Sequence, residues 1–195
     1  PPPATGLAKQ DPHITFAHGG KADFRGTHGV AYNMLTAPRF SFALMTHNAT
    51  FIKPGYKPKL VHGSFFTRAY WTLMTRSRTT LHVNASADTL GFDVFFGNNR
   101  SLASRRRGIW KEYALEDVRV FYKQATLYVR AAGWETNVTR KPVYNRLLGP
   151  AWRLDLSMRP LNGTGFETRH GTASGIVAPH GIVGQSWDGD ATAVD

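Results

Sequence analysis

Apolar and polar side chains alternate with a period of two in several short stretches of the chain. Phe40, Phe42 and Leu44 occupy every second position and have small residues between them, and residues 152–159 alternate in the same way. Because successive side chains of a β-strand point to opposite faces of the sheet, this pattern predicts strands with one buried face. Further strands of this kind are predicted at 69–75, 80–84, 91–96, 118–123 and 126–130.

The chain offers little support for helices. No window keeps a helical spacing of apolar residues over three turns, and the best candidate for a short helix is 111–115. The two residues Gln124 and Ala125 between two predicted strands indicate a hairpin. With 19 Gly and 11 Pro between short strands, we expect an all-β fold, either an antiparallel β-sandwich or a flattened barrel with little helix.

The length of 195 residues suits one domain. Residues 1–10 are mostly Pro, Ala and Gly, so we interpret them as a linker and residues 11–195 as a single domain. The longest apolar runs are shorter than the roughly 20 residues of a membrane span. The start of the chain has neither the basic nor the apolar region of a signal peptide, which is typical of a cytosolic protein or of a processed piece of a longer one.

The residues that follow the asparagines favour the second of these alternatives, a processed piece of a longer protein. Five of the eight asparagines begin an Asn-x-Ser/Thr triplet, where chance predicts roughly one. This excess predicts a secreted glycoprotein, although threonine-rich strands that end in Asn turns also produce such triplets. The five predicted glycosylation sites are Asn48, Asn84, Asn99, Asn137 and Asn162.

Two segments near the ends of the chain carry a recognisable pattern. Residues 11–26 contain Asp-Pro-His followed by Thr-Phe-Ala-His-Gly-Gly and Phe-Arg-Gly, and residues 180–190 read His-Gly-Ile-Val-Gly-Gln-Ser-Trp-Asp-Gly-Asp. Together they resemble the opening and closing motifs of von Willebrand factor type D domains. The closing motif is similar to that of cysteine-poor relatives, such as root-cap-like proteins and the carboxy-terminal region of inter-alpha-trypsin inhibitor heavy chains. The resemblance implies an extracellular β-sandwich that acts in assembly or adhesion, with the two terminal segments side by side.

The resemblance also raises a calcium site. In calcium-binding members, acidic residues of the opening turn and closing loop supply oxygen ligands. Here Ala17 or His18 occupies the first position and Gln185 replaces an Asn, while Asp188 and Asp190 keep oxygen donors that suit calcium. These two residues are candidate calcium ligands, and the alternative is a turn with solvated carboxylates. No other cofactor is expected.

Residue chemistry points away from catalysis. The chain has no cysteine, which excludes thiol nucleophiles and thiolate metal sites, and it has no Gly-x-Ser-x-Gly or His-Glu-x-x-His motif. Among eight histidines, His13, His18 and His180 belong to the terminal motifs and would form a metal cluster if those motifs converge; hydrogen-bonded structural histidines are the alternative. We therefore expect a protein that is not an enzyme.

Net charge is the remaining clue to function. Lys and Arg number 24 against 13 Asp and Glu, a formal charge of +11, which favours polyanionic partners. The strongest candidate for polyanion binding is Arg105, Arg106, Arg107, Trp110 and Lys111, because guanidinium groups grip sulfate or carboxylate and an indole stacks on a sugar face. A solvated loop is the alternative.

The function that the sequence favours is a secreted, non-catalytic structural or adhesive module of an extracellular assembly. Its partners would be other extracellular proteins or a second copy of itself, with no nucleic acid and no membrane span. The alternative is an extracellular binder of anionic polysaccharide through residues 105–111.

Overall fold

The computed structural model of the chain describes residues 5–9, 13–17, 20–89, 92–96, 100–104, 112–161 and 179–184. Within these ranges the chain forms two antiparallel β-sheets packed together, so the predicted all-β fold is confirmed and, of its two expected forms, it is the sandwich. The strands are β1 (Gly6–Lys9), β2 (His13–Thr15), β3 (Lys21–Asp23), β4 (Ala31–Ala37), β5 (Phe40–Lys53), β6 (Lys59–Met74), β7 (Thr80–Ser86), β8 (Phe92–Phe96), β9 (Arg100–Ser104), β10 (Glu112–Leu115), β11 (Val118–Lys123), β12 (Thr126–Ala131), β13 (Trp134–Pro142), β14 (Arg146–Leu148) and β15 (Trp152–Pro160).

The two sheets have different strand orders. Sheet A has the order β10-β11-β12-β13-β15-β1-β2-β3. Sheet B has the order β14-β5-β6-β7-β8-β9, and β4 also pairs with β5. Strand β5 pairs with β6 along its whole length, so β4 and β14 occupy successive halves of its opposite edge.

The core lies between the sheets and is rich in large side chains. Trp71 of β6 is buried, and its ring stacks on Phe42 of β5 with 4.8 Å between ring centroids. The indole Nε1 of Trp71 donates a hydrogen bond of 2.7 Å to Oγ1 of Thr136 on β13. This bond crosses from sheet B to sheet A and satisfies two polar groups that would otherwise be buried without partners.

Most of the strand predictions agree with the structure, and two expectations are wrong. The hairpin is confirmed: Gln124 and Ala125 both have positive φ, as the favoured two-residue turn requires. The segment 111–115, predicted as a short helix, contains strand β10, because pairing with β11 outweighs a weak local preference. Part of the predicted linker, Gly6–Lys9, is strand β1 between β15 and β2, so the domain begins before residue 11.

Both terminal segments contribute to the same core. Ile14 and Phe16 of the opening segment and Val183 of the closing segment are buried in one hydrophobic cluster. His180 pairs with Thr36 at the edge of β4. Gly181 has a φ of +99°, and a Cβ atom there would lie 2.8 Å from the backbone of Met34, so this close approach requires glycine.

Candidate interaction surface

The hairpin of β5 and β6 extends beyond the core of the sandwich. Alternate positions of β5 are buried as far as Thr46, which lies beneath the backbone of Gly26. The same face continues to Ile52, which is 37% exposed, and every residue from 52 to 60 is exposed. The end of the hairpin therefore projects from the body of the protein.

Apolar side chains are concentrated on this projection. Strand β14 joins the outer half of β5, and the amide of Ile52 donates a hydrogen bond of 3.0 Å to the carbonyl of Asn145. Of the eight large apolar side chains that are exposed in the described part of the chain, six lie here. We call these six residues the distal patch: Ile52, Tyr56, Leu60, Tyr144, Leu147 and Leu148.

The charged side chains in the two segments that carry the distal patch are all positive. Residues 50–60 and 141–149 contain no Asp or Glu. The cations of these two segments are Lys53, Lys57, Lys59, Lys141 and Arg146. Positive charges within one segment reinforce one another's field, so the patch favours a negatively charged partner.

A small hydrophobic cluster supports the base of the hairpin. Ala49 and Phe65 are buried together with Val143, and Phe51 packs against them. The guanidinium carbon of Arg153 lies 5.8 Å from the centroid of the Phe65 ring and links this cluster to β15. This second cluster anchors the projecting strands to the sandwich.

A shallow groove adjoins the distal patch. It encloses about 290 Å³, and Leu148 of the patch forms part of its wall together with Arg25 and His62. Thr50 Oγ1 and His62 Nδ1 are 2.9 Å apart, within hydrogen-bond distance. Asn48, a predicted glycosylation site, also lines this groove.

Two histidines stack where the loop before β4 meets β5. The rings of His28 and His47 have centroids 4.7 Å apart, and His28 Nδ1 accepts a hydrogen bond of 3.3 Å from the amide of Asn48. The pKa of His47 is lowered by partial burial first, then by His28 and Arg68, while Asp88 opposes these effects. The neutral imidazole is therefore the form that the fold favours.

We expect the protein to lose stability in mild acid. A lowered pKa means that the unfolded chain binds a proton at His47 before the native state does. The free energy of unfolding should therefore fall as the pH drops below 6.5, the ordinary value for this side chain, and level off below the lowered pKa. Urea unfolding across this range measures the slope, which His47→Gln should reduce. An equal slope in His47→Gln would contradict the prediction.

A second surface, with partly exposed aromatic residues beside arginines, lies on sheet A. Phe121 and Tyr128 stack with 4.8 Å between ring centroids on neighbouring strands. The guanidinium carbons of Arg119 and Arg130 lie 5.4 and 5.2 Å from the centroid of the Phe121 ring. Ion pairs hold both arginines, Arg119 with Glu112 and Arg130 with Glu135.

The structure places some of the predicted site residues. Asn48 is exposed, and Asn84 and Asn137 are partly exposed on β7 and β13. His13 of sheet A pairs with Asp23 at 2.5 Å, and His180 lies against sheet B. No group of three or more potential metal ligands occurs among the described residues. Several predicted residues lie outside the described residues: His18, Asn99, Asn162, Arg105, Arg106, Arg107, Trp110, Lys111, Asp188 and Asp190.

Sequence reasoning missed the distal patch. The run Pro54-Gly55-Tyr56-Lys57-Pro58 is a turn signal with an aromatic residue and a lysine, and it could have indicated an exposed tip. Nothing in the sequence placed residues 144–148 beside it.

Comparison with known proteins leaves the family open. No family model matches the chain, and no curated protein matches it. Helices of the length and hydropathy that a membrane span requires are not found in the described ranges. The similarity to von Willebrand type D domains therefore stays a prediction that rests on the two terminal motifs.

Proposed function

We propose that this chain is a secreted, N-glycosylated, non-catalytic module that attaches to an extracellular assembly through the distal patch. The observation that carries the proposal is the concentration of six exposed apolar side chains at one end of the sandwich. Exposed apolar residues are normally scattered singly, and a contiguous group marks an interaction surface. Such a module acts by binding a partner and carries out no reaction.

Packing supports the patch as a binding surface. Strand β14 is held on β5 by backbone pairing, and the small cluster around Phe65 anchors the hairpin. A surface held in this way loses less conformational entropy on binding than a flexible loop does.

The positions of the predicted glycosylation sites support an extracellular location. Asn48 is exposed, and Asn84 sits on β7 opposite Tyr70 and Asp93, with its side chain partly open to solvent. Glycans require such accessible asparagines.

The test measures attachment of purified secreted protein to the matrix of the cells that produce it. Ile52→Ser together with Leu148→Ser should weaken attachment by about tenfold, because central apolar side chains carry most of an interface's binding energy. Met74→Ser is the matched control for Ile52→Ser, since both side chains are 37% exposed and Met74 lies outside the patch.

Two outcomes would contradict this proposal. One is equal attachment of the patch variant and the control. The other is an intact mass that does not change when glycans are removed, which would place the chain outside the secretory route.

Binding of anionic polysaccharide is a second candidate function. The observation that favours it is the group of Arg119, Arg130, Phe121 and Tyr128 on sheet A, because guanidinium and aromatic groups together suit sulfated or uronic sugars. Under this alternative, replacing Arg119 and Arg130 with alanine, or replacing Arg105, Arg106 and Arg107, lowers both retention on heparin and matrix attachment, and the patch variants keep both.

A further inference from the structure

We propose that the distal patch docks onto a lipid bilayer whose headgroups carry negative charge. This inference rests on the proposed function, since it concerns the same surface and identifies the membrane on which the extracellular assembly would be anchored. Its elements are the apolar side chains at the end of the β5–β6 hairpin, the lysines between them and the shape of the projection.

The residue types suit the boundary between headgroups and acyl chains. Tyr56 lies at the tip between Pro54 and Pro58 and is fully exposed. A tyrosine ring buries its apolar body in lipid while its hydroxyl stays in the polar layer. Ile52 and Leu60 are directly paired across the hairpin and offer aliphatic side chains to the same layer.

The charges suit an anionic surface. Lys53 pairs with Lys59 across the hairpin, and Lys57 lies in the turn between them. Long lysine side chains keep their ammonium groups at the headgroups while their stems lie along apolar surface. Each such lysine near an anionic bilayer contributes attraction that adds to the burial of the apolar residues.

The same charges argue against a second copy of this chain as the occupant. A two-fold contact places the same patch on both partners, so the lysines of one copy would face those of the other. With no Asp or Glu in residues 50–60 or 141–149, nothing in these segments neutralises that repulsion.

Shape favours a bilayer over an acidic protein. The tip is a projecting two-stranded hairpin, with residues 52–60 exposed throughout, so it is convex. A protein partner would have to supply a concave, apolar and acidic pocket for it, whereas lipids rearrange around an inserted tip at little cost. The buried cluster of Ala49, Phe65 and Val143 holds the hairpin as it enters.

Sedimentation with lipid vesicles tests the proposal. The secreted, glycosylated protein is used, because the proposed function requires the distal patch to bind in that form. The protein should bind vesicles of phosphatidylcholine with about one-third phosphatidylserine far more tightly than phosphatidylcholine alone. Replacing Lys53, Lys57 and Lys59 with glutamate should weaken binding by at least about a hundredfold.

A matched triple variant separates this patch from general basic charge. Lys9, Lys21 and Lys123 are exposed and lie on sheet A, and their replacement with glutamate changes the net charge by the same amount. This control should keep vesicle binding within about threefold of the wild type. Equal losses in the two triple variants would overturn the proposal.

A single introduced cysteine reports insertion, because the chain has none of its own. Tyr56→Cys, labelled with an environment-sensitive dye, should shift to shorter wavelength on anionic vesicles and become protected from a water-soluble quencher. Lys123→Cys should show neither change. A label at residue 56 that stays in water while the protein is bound would overturn the proposal.

Failure of this inference can be told apart from failure of the proposed function. If the Ile52→Ser, Leu148→Ser variant loses matrix attachment but wild-type protein ignores both kinds of vesicle, the partner is an acidic protein and the bilayer proposal is wrong. If the variant attaches as well as wild type, the proposed function itself fails.

Discussion

Replacing Trp71 with alanine is expected to lower the free energy of unfolding by about 3–5 kcal/mol. Three contributions are lost together: the burial of one of the two tryptophans in the core, the stacking on Phe42, and the hydrogen bond to Thr136. The indole connects the two sheets, so its loss leaves a cavity between them that neither sheet can close alone. Urea unfolding followed by circular dichroism measures the change.

Two milder variants divide this effect into its parts. Thr136→Val keeps the volume but leaves the buried indole N–H without its partner, at an expected cost of about 1–3 kcal/mol. Trp71→Phe keeps a ring against Phe42 and should cost less than Trp71→Ala. A loss below about 1 kcal/mol for Trp71→Ala would show that this contact does not hold the sheets together.

Replacing Gly149 with alanine is expected to destabilise the protein by about 2–4 kcal/mol and to separate β14 from β5. Gly149 has a φ of +101°, a conformation that costs energy for any residue with a Cβ atom. An added Cβ would also lie 2.5 Å from the carbonyl oxygen of Asn48 and 2.7 Å from Cα of Ala49. Backbone atoms cannot move aside as a flexible side chain can, so the strand must shift.

Hydrogen exchange detects this shift locally. The amide of Ile52 donates to the carbonyl of Asn145, so its protection should fall in Gly149→Ala. Gly55→Ala is the matched control, because the nearest atom to an added Cβ there is 4.0 Å away and its φ is unstrained. The control should change stability by no more than about 0.5 kcal/mol. Unchanged protection of Ile52 in Gly149→Ala would contradict the expected displacement of β14.

Gly149→Ala also tests whether β14 contributes to the distal patch. Leu147 and Leu148 belong to the distal patch only because β14 lies along β5. If β14 separates, these two side chains leave the patch while Ile52, Tyr56 and Leu60 stay on the hairpin. Attachment to matrix should therefore weaken in Gly149→Ala and stay intact in Gly55→Ala.

The fold class was predictable because its signal is local. The alternation of Phe40, Phe42 and Leu44 with smaller residues predicts which face of the strand is buried. All three side chains are buried in β5. Short segments carry too little of this signal. Four residues at β1 and four at β10 do not reveal their conformation, and pairing with β15 and β11 decides it.

The sequence by itself determined that the chain is all-β, either a sandwich or a flattened barrel, and it located seven of the strands in whole or in part and the hairpin at Gln124. Only the tertiary structure decided which apolar residues stay uncovered. Ile52 and Leu60 follow the same alternation as the buried residues of their strands, but both side chains are exposed in the folded chain. Leu148 joins them from a distant part of the chain by pairing with β5. Alternation along a strand predicts which of its faces carries the apolar side chains. Whether another segment covers that face depends on how distant parts of the chain fold, and no local pattern contains that information.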